Sequence, residues 1–291
     1  MVKKYSQLYL EARKALLDSE DAPNAASYAR QLLCHVTGKR LEQVLADSEM
    51  YASEAICEAM EAAVRRLLSG EPLAYILGKW EFYGLQLIVN ENVLIPRDDT
   101  CAVTSLAIDH ALFLGKAPRV LDLCTGSGCI GLAIASRVAD ARVTLADISP
   151  EALSVAKKNA TLNHLTGRVS CVVSDALSAP SPFLGKYDLI VSNPPYITTQ
   201  EMQELPHSVA DFEPHLALYG GDDGLDFYRS IIDNYTGNLK PGGYLSFEFG
   251  LGQGNAVCSL LQQKGYTILE RSRDYNDRER AVIAQYGRKE I

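Results

Sequence analysis

The sequence lacks the cysteine and histidine patterns that metal centres and disulfide frameworks require. Its 7 cysteines and 5 histidines include no Cys-x-x-Cys pair and no His-x-x-x-His pair. Structural zinc sites and small disulfide-rich folds depend on closely spaced residues of these types. We therefore expect no metal ion, and we predict reduced, mostly buried thiols.

The sequence also lacks an excess of basic residues and a long apolar run. It contains 28 Lys and Arg against 36 Asp and Glu, which gives a formal net charge of -8. Proteins that bind duplexes usually carry a basic surface that neutralises phosphates, so no direct contact with nucleic acid is expected. No apolar run approaches the roughly 20 residues that span a bilayer, and the N-terminus has no secretory signal pattern. We expect no membrane association and predict a cytoplasmic monomer.

What the sequence does contain at its start is helical periodicity. Over residues 1–75 apolar side chains recur three and four positions apart, as at Leu8, Ala12 and Leu16, which is the spacing of amphipathic helices. We predict an N-terminal helical domain over this range. Because it contains no catalytic pattern, two roles stay open: support of folding, or recognition of a macromolecular substrate. Substrate recognition is our working hypothesis.

The apolar period changes to two between residues 76 and 97, as at Leu85, Leu87 and Val89. This alternation predicts a β-hairpin linker. From residue 98 to residue 291, strand patterns alternate with helix patterns and give seven strands. Such an order predicts an α/β domain with a Rossmann-like seven-stranded sheet.

A glycine-rich turn follows the first strand of this domain, residues 119–123. The turn contains Cys124, Thr125, Gly126, Ser127 and Gly128, and a helix pattern follows it. Strand, glycine turn and helix together are typical of nucleotide binding, because Gly126 and Gly128 would leave space for a cofactor at the backbone. A second strand ends at Asp147, 19 residues after Gly128. A carboxylate at that separation can accept hydrogen bonds from both ribose hydroxyls.

Asp122 favours one of two candidate cofactors. The spacing Gly126-x-Gly128-x-x-Gly131 also fits the dinucleotide pattern, so an NAD-dependent oxidoreductase stays an alternative. A carboxylate at the end of the first strand would repel a pyrophosphate and attract the sulfonium and ammonium groups of S-adenosylmethionine. Asp122 could instead be a helix cap.

Further polar residues follow the later strands. In an open α/β sheet the ligand lies beyond the carboxyl ends of the strands, so Asp122, Asp147, Asp175 and Asn193 should converge on one crevice. Asp175 could accept a hydrogen bond from an adenine amino group, or it could only stabilise a turn. Four residues further along the chain are expected at the surface: His207, Asp211, Glu213 and His215.

A proline-rich turn ends the fourth strand. It consists of Ser192, Asn193, Pro194, Pro195 and Tyr196. The prolines end the strand because neither can donate a ladder hydrogen bond. The side-chain oxygen of Asn193 and the carbonyl oxygen of Pro194 would then converge as acceptors for the two N–H bonds of a planar amide or amine, and Tyr196 would offer a flat face. A purely structural turn is the alternative.

Together these segments resemble the release factor glutamine methyltransferases, also called HemK or PrmC. The resemblance is carried by Asp122-x-x-Thr125-Gly126-Ser127-Gly128, Asp147, Asn193-Pro194-Pro195-Tyr196, Phe212–Leu225 and the linker Glu71–Gly78. It implies transfer of a methyl group from S-adenosyl-L-methionine, with S-adenosyl-L-homocysteine as product. The implied acceptor is the side-chain amide nitrogen (N5) of the glutamine in the Gly-Gly-Gln loop of class 1 peptide chain release factors, which supports translation termination.

The residue patterns and the resemblance together give a set of expected site residues. Cofactor contacts are expected from Asp122, Cys124, Thr125, Gly126, Ser127, Gly128, Asp147, Asp175, Ala176 and Asn193. Catalytic roles are expected for Asn193, Pro194 and Tyr196. Substrate contacts are expected from Asn193, Pro194, Pro195 and Tyr196.

The sequence departs from the family pattern at a few positions. Asp98 and Cys101 stand where the family has a proline and a carboxylate, and Cys124 replaces the first glycine of the turn. Ala176 stands where an aromatic residue is frequent, so we expect weaker cofactor binding than is typical. An adenine-N6 DNA methyltransferase and a cofactor-binding protein without catalytic activity are the remaining alternatives; the net charge disfavours the first, and the intact proline turn disfavours the second.

Overall fold

The structure, a computed structural model, describes residues 2–19 and 21–287, and the chain forms two compact units. The helical unit is the N-terminal part of the chain up to Gly78 together with His207–Phe212. The sheet unit is Lys79–Pro206 together with the chain from Glu213 onwards. No sequence pattern predicted that His207–Phe212 belongs to the helical unit. Of the predicted domain ranges, residues 1, 20 and 288–291 lie outside the described residues.

The helical unit packs around apolar side chains spaced three and four positions apart. Its helices are Tyr5–Leu17, Ala25–Thr37, Leu41–Ala46, Glu54–Leu68, Leu73–Leu77 and the one-turn helix His207–Ala210. Leu16, Leu32 and Met60 are buried in its core. Ser53 caps the fourth helix, since its Oγ accepts a hydrogen bond of 3.3 Å from the N–H of Ile56, which stabilises the helix start. The predicted N-terminal helical region is confirmed.

A β-hairpin opens the sheet unit. Strands β1 (Lys79–Phe82) and β2 (Leu85–Ile88) pair antiparallel. Phe82 and Leu87 are buried in an apolar layer of the sheet unit. The indole N–H of Trp80 donates a hydrogen bond of 3.1 Å to the carbonyl of Pro96, which ties the hairpin to the segment that leads into the main sheet.

The main sheet has seven strands, as predicted. They are β3 (Arg119–Leu123), β4 (Arg142–Asp147), β5 (Val169–Val173), β6 (Tyr187–Ser192), β7 (Leu239–Glu248), β8 (Tyr266–Arg273) and β9 (Glu279–Tyr286), in the spatial order β5-β4-β3-β6-β7-β9-β8. The first five strands of that order are parallel, and β9 is antiparallel to both β7 and β8. The Rossmann-like architecture is confirmed.

Helices cover both faces of this sheet. They are Cys101–Leu112, Cys129–Arg137, Pro150–Leu162, Asp226–Tyr235 and Gly254–Gln263. Alternate strand residues point to opposite faces, so Leu189 lies in one apolar layer and Ile190 in the other. In the described part of the chain, no helix is long and apolar enough to cross a membrane.

The strand order reverses at β3. This strand pairs with β4 on one side and with β6 on the other. The chain therefore runs outwards from β3 through β4 and β5, and then returns to the other side of β3 for β6 and β7. In open α/β sheets a ligand crevice lies beyond the carboxyl ends of the strands at such a reversal.

Candidate functional site

A cavity opens in the sheet unit beyond the carboxyl ends of β3 to β6. Nine of the predicted site residues line it: Cys124, Thr125, Gly126, Ser127, Asp147, Asp175, Ala176, Asn193 and Pro195. Among the described residues, four predicted ones do not line it: Asp122, Gly128, Pro194 and Tyr196. The structure therefore brings the glycine-rich turn after β3 and the proline turn after β6 to one cavity. Asp122 lies outside the lining of this cavity.

Asp122 is buried beneath the glycine turn, with no exposed surface. Its Oδ2 accepts hydrogen bonds from the hydroxyl of Thr125 (2.6 Å) and from the backbone N–H of Gly131 (2.9 Å). Its Oδ1 is buried and has no hydrogen-bond partner among the described residues. Burial raises the pKa of this carboxyl to about 7, although both hydrogen bonds act to lower it. Asp122 therefore holds the turn in place from below, and does not present its charge directly to the cavity.

The two glycines expected to make room for a cofactor differ in their surroundings. Both have a left-handed backbone, with φ of 52° at Gly126 and 84° at Gly128. A Cβ at Gly126 would meet nothing within 4 Å, whereas one at Gly128 would lie 3.1 Å from Leu132 and 3.2 Å from Leu145. Gly126 therefore leaves open space at the cavity. Gly128 allows the following helix to pack closely on β4.

Cys124 lines the cavity in a backbone conformation that suits glycine. Its φ is 57°, and the left-handed region costs a residue with a Cβ roughly 1–2 kcal/mol. This conformation explains why a glycine would be favoured at the first position of the turn. Burial, reinforced by the charge of Asp147, raises the pKa of the Cys124 thiol well above its ordinary value, so the thiol stays neutral.

Asp147 stands at the end of β4 with both carboxylate oxygens held. The N–H of Gly126 donates to Oδ2 over 2.8 Å, and the N–H of Ser149 donates to Oδ1 over 3.0 Å. Burial raises the pKa of this carboxyl, while the two backbone hydrogen bonds oppose that shift. Each carboxylate oxygen can accept a second hydrogen bond, so the pair can receive a diol from the cavity side.

Asp175 and Ala176 form the next part of the wall. The carboxylate of Asp175 accepts hydrogen bonds from the N–H of Leu177 (2.8 Å) and from the hydroxyl of Ser178 (2.6 Å), which is the geometry of a turn-stabilising acid. Ala176 is 4% exposed, and the hydroxyl of Ser230 donates to its carbonyl over 2.7 Å. Both residues therefore have structural partners in addition to their place along the cavity.

These groups fit S-adenosylmethionine, the cofactor that the sequence predicts. Asp147 has carboxylate oxygens of the kind that a ribose diol needs as acceptors, and Gly126 leaves space at the backbone. Ile148 and Leu177 also line the cavity and are 44% and 49% exposed, so they offer apolar surface to a flat base. The carboxyl of Asp122, whose pKa burial raises to about 7, lies beneath the turn, and its ionised form favours a cationic ligand over a pyrophosphate.

The proline turn after β6 is fixed from several sides. The hydroxyl of Ser192 donates to the carbonyl of Leu123 over 2.7 Å, which joins β6 to β3. The side-chain N–H of Gln253 donates to the carbonyl of Tyr196 over 2.9 Å. The ring of Tyr196 packs against the apolar layer of the sheet, and burial raises the pKa of its hydroxyl far above the ordinary value. The turn is thus a rigid element with a neutral phenol.

Two glycines that sequence analysis did not assign to the site support this turn. A Cβ at Gly220 would lie 2.6 Å from the carbonyl oxygen of Pro195, and a Cβ at Gly224 would lie 2.3 Å from that of Tyr196. Only glycine allows the chain to approach the turn so closely. The signal available in the sequence is the cluster Gly220-Gly221-Asp222-Asp223-Gly224, although nothing in it indicates which segment it contacts.

The expectation that Glu213 lies at the surface is wrong. Glu213 is 5% exposed. Its carboxylate accepts a hydrogen bond of 3.1 Å from the N–H of Ile95 and forms an ion pair with Arg97. Two chain segments that line the cavity are thereby joined, because Pro96 and Arg97 belong to one and Pro214 to the other. The cost of burying the carboxylate is offset by these partners.

Two family models match the chain. The PrmC N-terminal domain matches residues 7–78, and the methyltransferase small domain matches residues 103–210. The release factor glutamine methyltransferase of Clostridium acetobutylicum is 41% identical over 216 residues, 74% of this chain and 75% of that protein. That of Chlorobaculum tepidum is 39% identical over 260 residues, 87% of this chain and 88% of that protein. A bifunctional methyltransferase of Rickettsia typhi is 35% identical over 271 residues, which are 52% of its length.

Solved structures share the fold at low sequence identity. The hMettl16 catalytic domain, solved with an RNA hairpin, has a TM-score of 0.58 and 16% identity, and the match covers 77% of this chain and 85% of that one. A methyltransferase from Pyrococcus furiosus has a TM-score of 0.52 and 18% identity, and the match covers 71% of this chain and 91% of that one. These similarities support the architecture of the sheet unit.

Proposed function

The chain belongs to the release factor glutamine methyltransferase family, and we propose that it methylates the side-chain amide of the glutamine in the Gly-Gly-Gln loop of class 1 peptide chain release factors. It is an enzyme that uses S-adenosyl-L-methionine. We further propose that the protein acts in the cytoplasm as a monomer and does not bind nucleic acid directly. The helical unit, residues 1–75 in the predicted division, is proposed to recognise the release factor.

One observation carries this proposal. Asp147, at the end of β4, and Asn193, at the end of β6, line the same cavity. Asp147 has the acceptors that a cofactor ribose needs, and Asn193 begins a turn with acceptors for an amide. A methyl donor and a planar N–H substrate can therefore meet in one cavity, which is what methyl transfer requires.

The cofactor would be held by the turn and acids along the cavity. Asp147 would bind the ribose, the backbone at Gly126 would face the polar end, and Asp175 and Ala176 would border the base. Asp122 would hold the turn from beneath, and its ionised form would add negative potential there. When bound, the cofactor supplies an electrophilic methyl group on a positively charged sulfur.

The proline turn would hold the substrate amide. An amide nitrogen is a weak nucleophile because its lone pair is delocalised into the carbonyl, so its orientation decides the rate. The oxygen of Asn193, which lines the cavity, would accept one N–H bond. The carbonyl of Pro194, the next residue of the turn and not itself in the cavity lining, is proposed to accept the other, which would concentrate electron density on the nitrogen. Pro195 would shape the wall beside it. The ring of Tyr196 is still predicted to pack against the plane of the substrate amide. Its hydroxyl stays neutral, which is consistent with a packing role.

This scheme requires no side chain to act as a general base. The methylated amide nitrogen becomes acidic once the new bond forms, so it can release its extra proton to water. The work of this chain's residues is then to bind, to orient and to exclude solvent. The partly buried turn and its rigid supports suit that work.

Mass spectrometry of a methylated release factor tests the proposal. The purified protein is incubated with S-adenosylmethionine and a class 1 release factor, and the same release factor with its loop glutamine changed to alanine is the control. We expect one added methyl group, on that glutamine, in the first substrate alone. Methylation of the alanine control, or of an adenine-containing duplex in place of the release factor, would contradict the proposed substrate.

A further inference from the structure

Glu248 is a buried carboxyl beside the proline turn that the proposed mechanism does not use. It is the last residue of β7 and is 2% exposed. Phe247 pairs with Ser192 of β6, so the next residues of the two parallel strands, Glu248 and Asn193, stand side by side. On its other side Glu248 pairs with Ala281 of β9. The sheet itself therefore places this carboxyl next to the residue proposed to hold the substrate.

The side chains of Thr100 and Asn193 are polar neighbours of the Glu248 carboxyl. Both side chains lie close enough to this carboxyl to stabilise its charged form and so to lower its pKa. The Nδ2 of Asn193 also donates to the hydroxyl of Thr100 over 3.4 Å, and Thr100 is itself 2% exposed. The Oε2 of Glu248 has no hydrogen-bond partner within the described part of the chain. The N–H₂ end of the Asn193 amide thus faces the buried hydroxyl of Thr100, and the strand register sets the buried carboxyl of Glu248 beside that residue.

Ion pairing does not account for the burial of this carboxyl. Arg280, whose charge lowers the pKa of Glu248, lies 2.9 Å from a carboxylate oxygen of Asp99 and 3.0 Å from one of Asp274. Burial is the main cause that raises the pKa of Glu248, to about 8. The Thr100 side chain and the charge of Arg280 oppose this shift, and the charge of Asp99 adds to it. The other titratable groups that sense its charge are Tyr196, Tyr228, Cys101 and Cys129. A polar group kept here without its own counter-ion calls for another explanation.

The orientation of the Asn193 amide supplies that explanation. An asparagine side chain has a donor end and an acceptor end of nearly the same shape. With Nδ2 towards Thr100 and Glu248, the oxygen faces away from them and is available to a substrate N–H. After a flip of the amide, two N–H groups would oppose the N–H groups of the substrate, and binding would be unproductive.

We propose that Glu248 is a positioning residue: its carboxyl holds the side-chain amide of Asn193 so that the oxygen is directed to the substrate amide. This inference rests on the proposed function, in which that oxygen accepts a substrate N–H. Glu248 touches neither reactant and acts through Asn193 alone. Its removal therefore costs turnover only while Asn193 is present.

The test is a double-mutant cycle in single-turnover methylation of a release factor. Glu248→Leu removes the acceptor and leaves no buried polar group unpaired on residue 248, and we expect the methyl-transfer rate to fall about 10²-fold, comparable to loss of a positioned polar contact. Glu248→Gln keeps an acceptor oxygen and should retain most of the rate. In an Asn193→Ala background, Glu248→Leu should lower the rate by no more than about threefold further.

Binding and folding controls separate positioning from a structural defect. Ser246, two residues earlier on the same face of β7, is buried and donates to the carbonyl of Val282 over 3.0 Å. Ser246→Ala disturbs the same layer, and it should keep the parent rate. The dissociation constant of S-adenosylmethionine, measured by calorimetry, should change less than about threefold in Glu248→Leu. Additive losses in the cycle, a parent-like rate in Glu248→Leu, or lost cofactor affinity would each overturn the inference.

A second measurement does not depend on activity. The side-chain N–H₂ signals of Asn193, identified in the NMR spectrum by their loss in Asn193→Ala, should exchange slowly with solvent in the parent and in Glu248→Gln. They should exchange faster in Glu248→Leu. Unchanged exchange in Glu248→Leu would overturn the inference even if the rate falls. A parent protein that methylates no release factor would refute the proposed function, and the exchange rates would still decide whether Glu248 holds Asn193.

Discussion

The backbone N–H of Gly126 donates a hydrogen bond of 2.8 Å to Oδ2 of Asp147. This bond joins the turn after β3 to the end of β4. Because Ser149 holds the other oxygen over 3.0 Å, the carboxylate has a fixed direction before any ligand arrives. A preorganised acceptor of this kind loses little conformational entropy when it binds.

Replacement of Asp147 tests the cofactor site. Asp147→Ala removes a hydrogen bond to the ribose that is worth about 1.5–3 kcal/mol, so we expect the affinity for S-adenosylmethionine to fall roughly 10- to 100-fold. Isothermal titration calorimetry measures the change. Asp140→Ala, at an exposed position just before β4, is the control and should bind as the parent does. Parent-like affinity in Asp147→Ala, or tighter binding of NADH by the parent, would contradict the cofactor assignment.

The two glycines of the turn should respond differently to alanine. Gly128→Ala places a methyl group 3.1 Å from Leu132 and 3.2 Å from Leu145, in addition to the cost of a left-handed backbone. We expect it to lower the free energy of unfolding by about 2–4 kcal/mol. Gly126→Ala carries the backbone cost but meets open space, so it should lose less stability and more cofactor affinity. Urea unfolding and calorimetry distinguish the two, and an identical profile for both variants would contradict the division of roles.

The buried carboxyls predict how stability depends on pH. The pKa of Glu248 is raised to about 8 and that of Asp122 to about 7, from ordinary values of 4.5 and 3.8, chiefly by burial. The folded protein therefore keeps protons that the unfolded chain releases. The stability that these protons contribute is fully present below the ordinary pKa values and is lost as the pH rises towards the raised ones, by up to about 1.4 kcal/mol per pH unit and group.

Glu248→Gln isolates the contribution of one of these groups. Relative to the parent, its free energy of unfolding should increase as the pH rises from about 5 to about 8, and should then stay level. Chemical denaturation across that range measures the difference, and the slope from Asp122 cancels between the two proteins. A difference that does not change with pH would show that the Glu248 carboxyl is ionised in the folded state.

Local sequence patterns predicted the parts of the site that depend on neighbouring residues. The turn after β3, Asp147 at the end of β4 and the prolines after β6 follow from strand periodicity and residue spacing alone. The burial of Glu213 could not be predicted, because its partner Ile95 lies 118 positions away. The position of Glu248 beside Asn193 could not be predicted either, because it depends on the pairing of β7 with β6.

Spacing also predicts cofactor contacts for two residues whose visible partners are structural. Gly128 fits a cofactor pattern, and its Cβ position is closed by Leu132 and Leu145. Asp122 fits a ligand-facing acid, and its partners are Thr125 and Gly131. A sequence motif indicates which residue type a position requires. Whether the requirement comes from a ligand or from packing can be decided only from the neighbours in space.

The most direct test of the account is the single-turnover rate of Asn193→Ala with a purified class 1 release factor at saturating cofactor. Loss of the oxygen that accepts the substrate N–H should slow methyl transfer by about 10²–10³-fold. Cofactor affinity should stay within about threefold of the parent, and Asn163→Ala, which removes a remote amide bonded to the carbonyl of Gln86, should react at the parent rate. Equal rates for the parent and Asn193→Ala would contradict the proposal that this turn holds the glutamine amide.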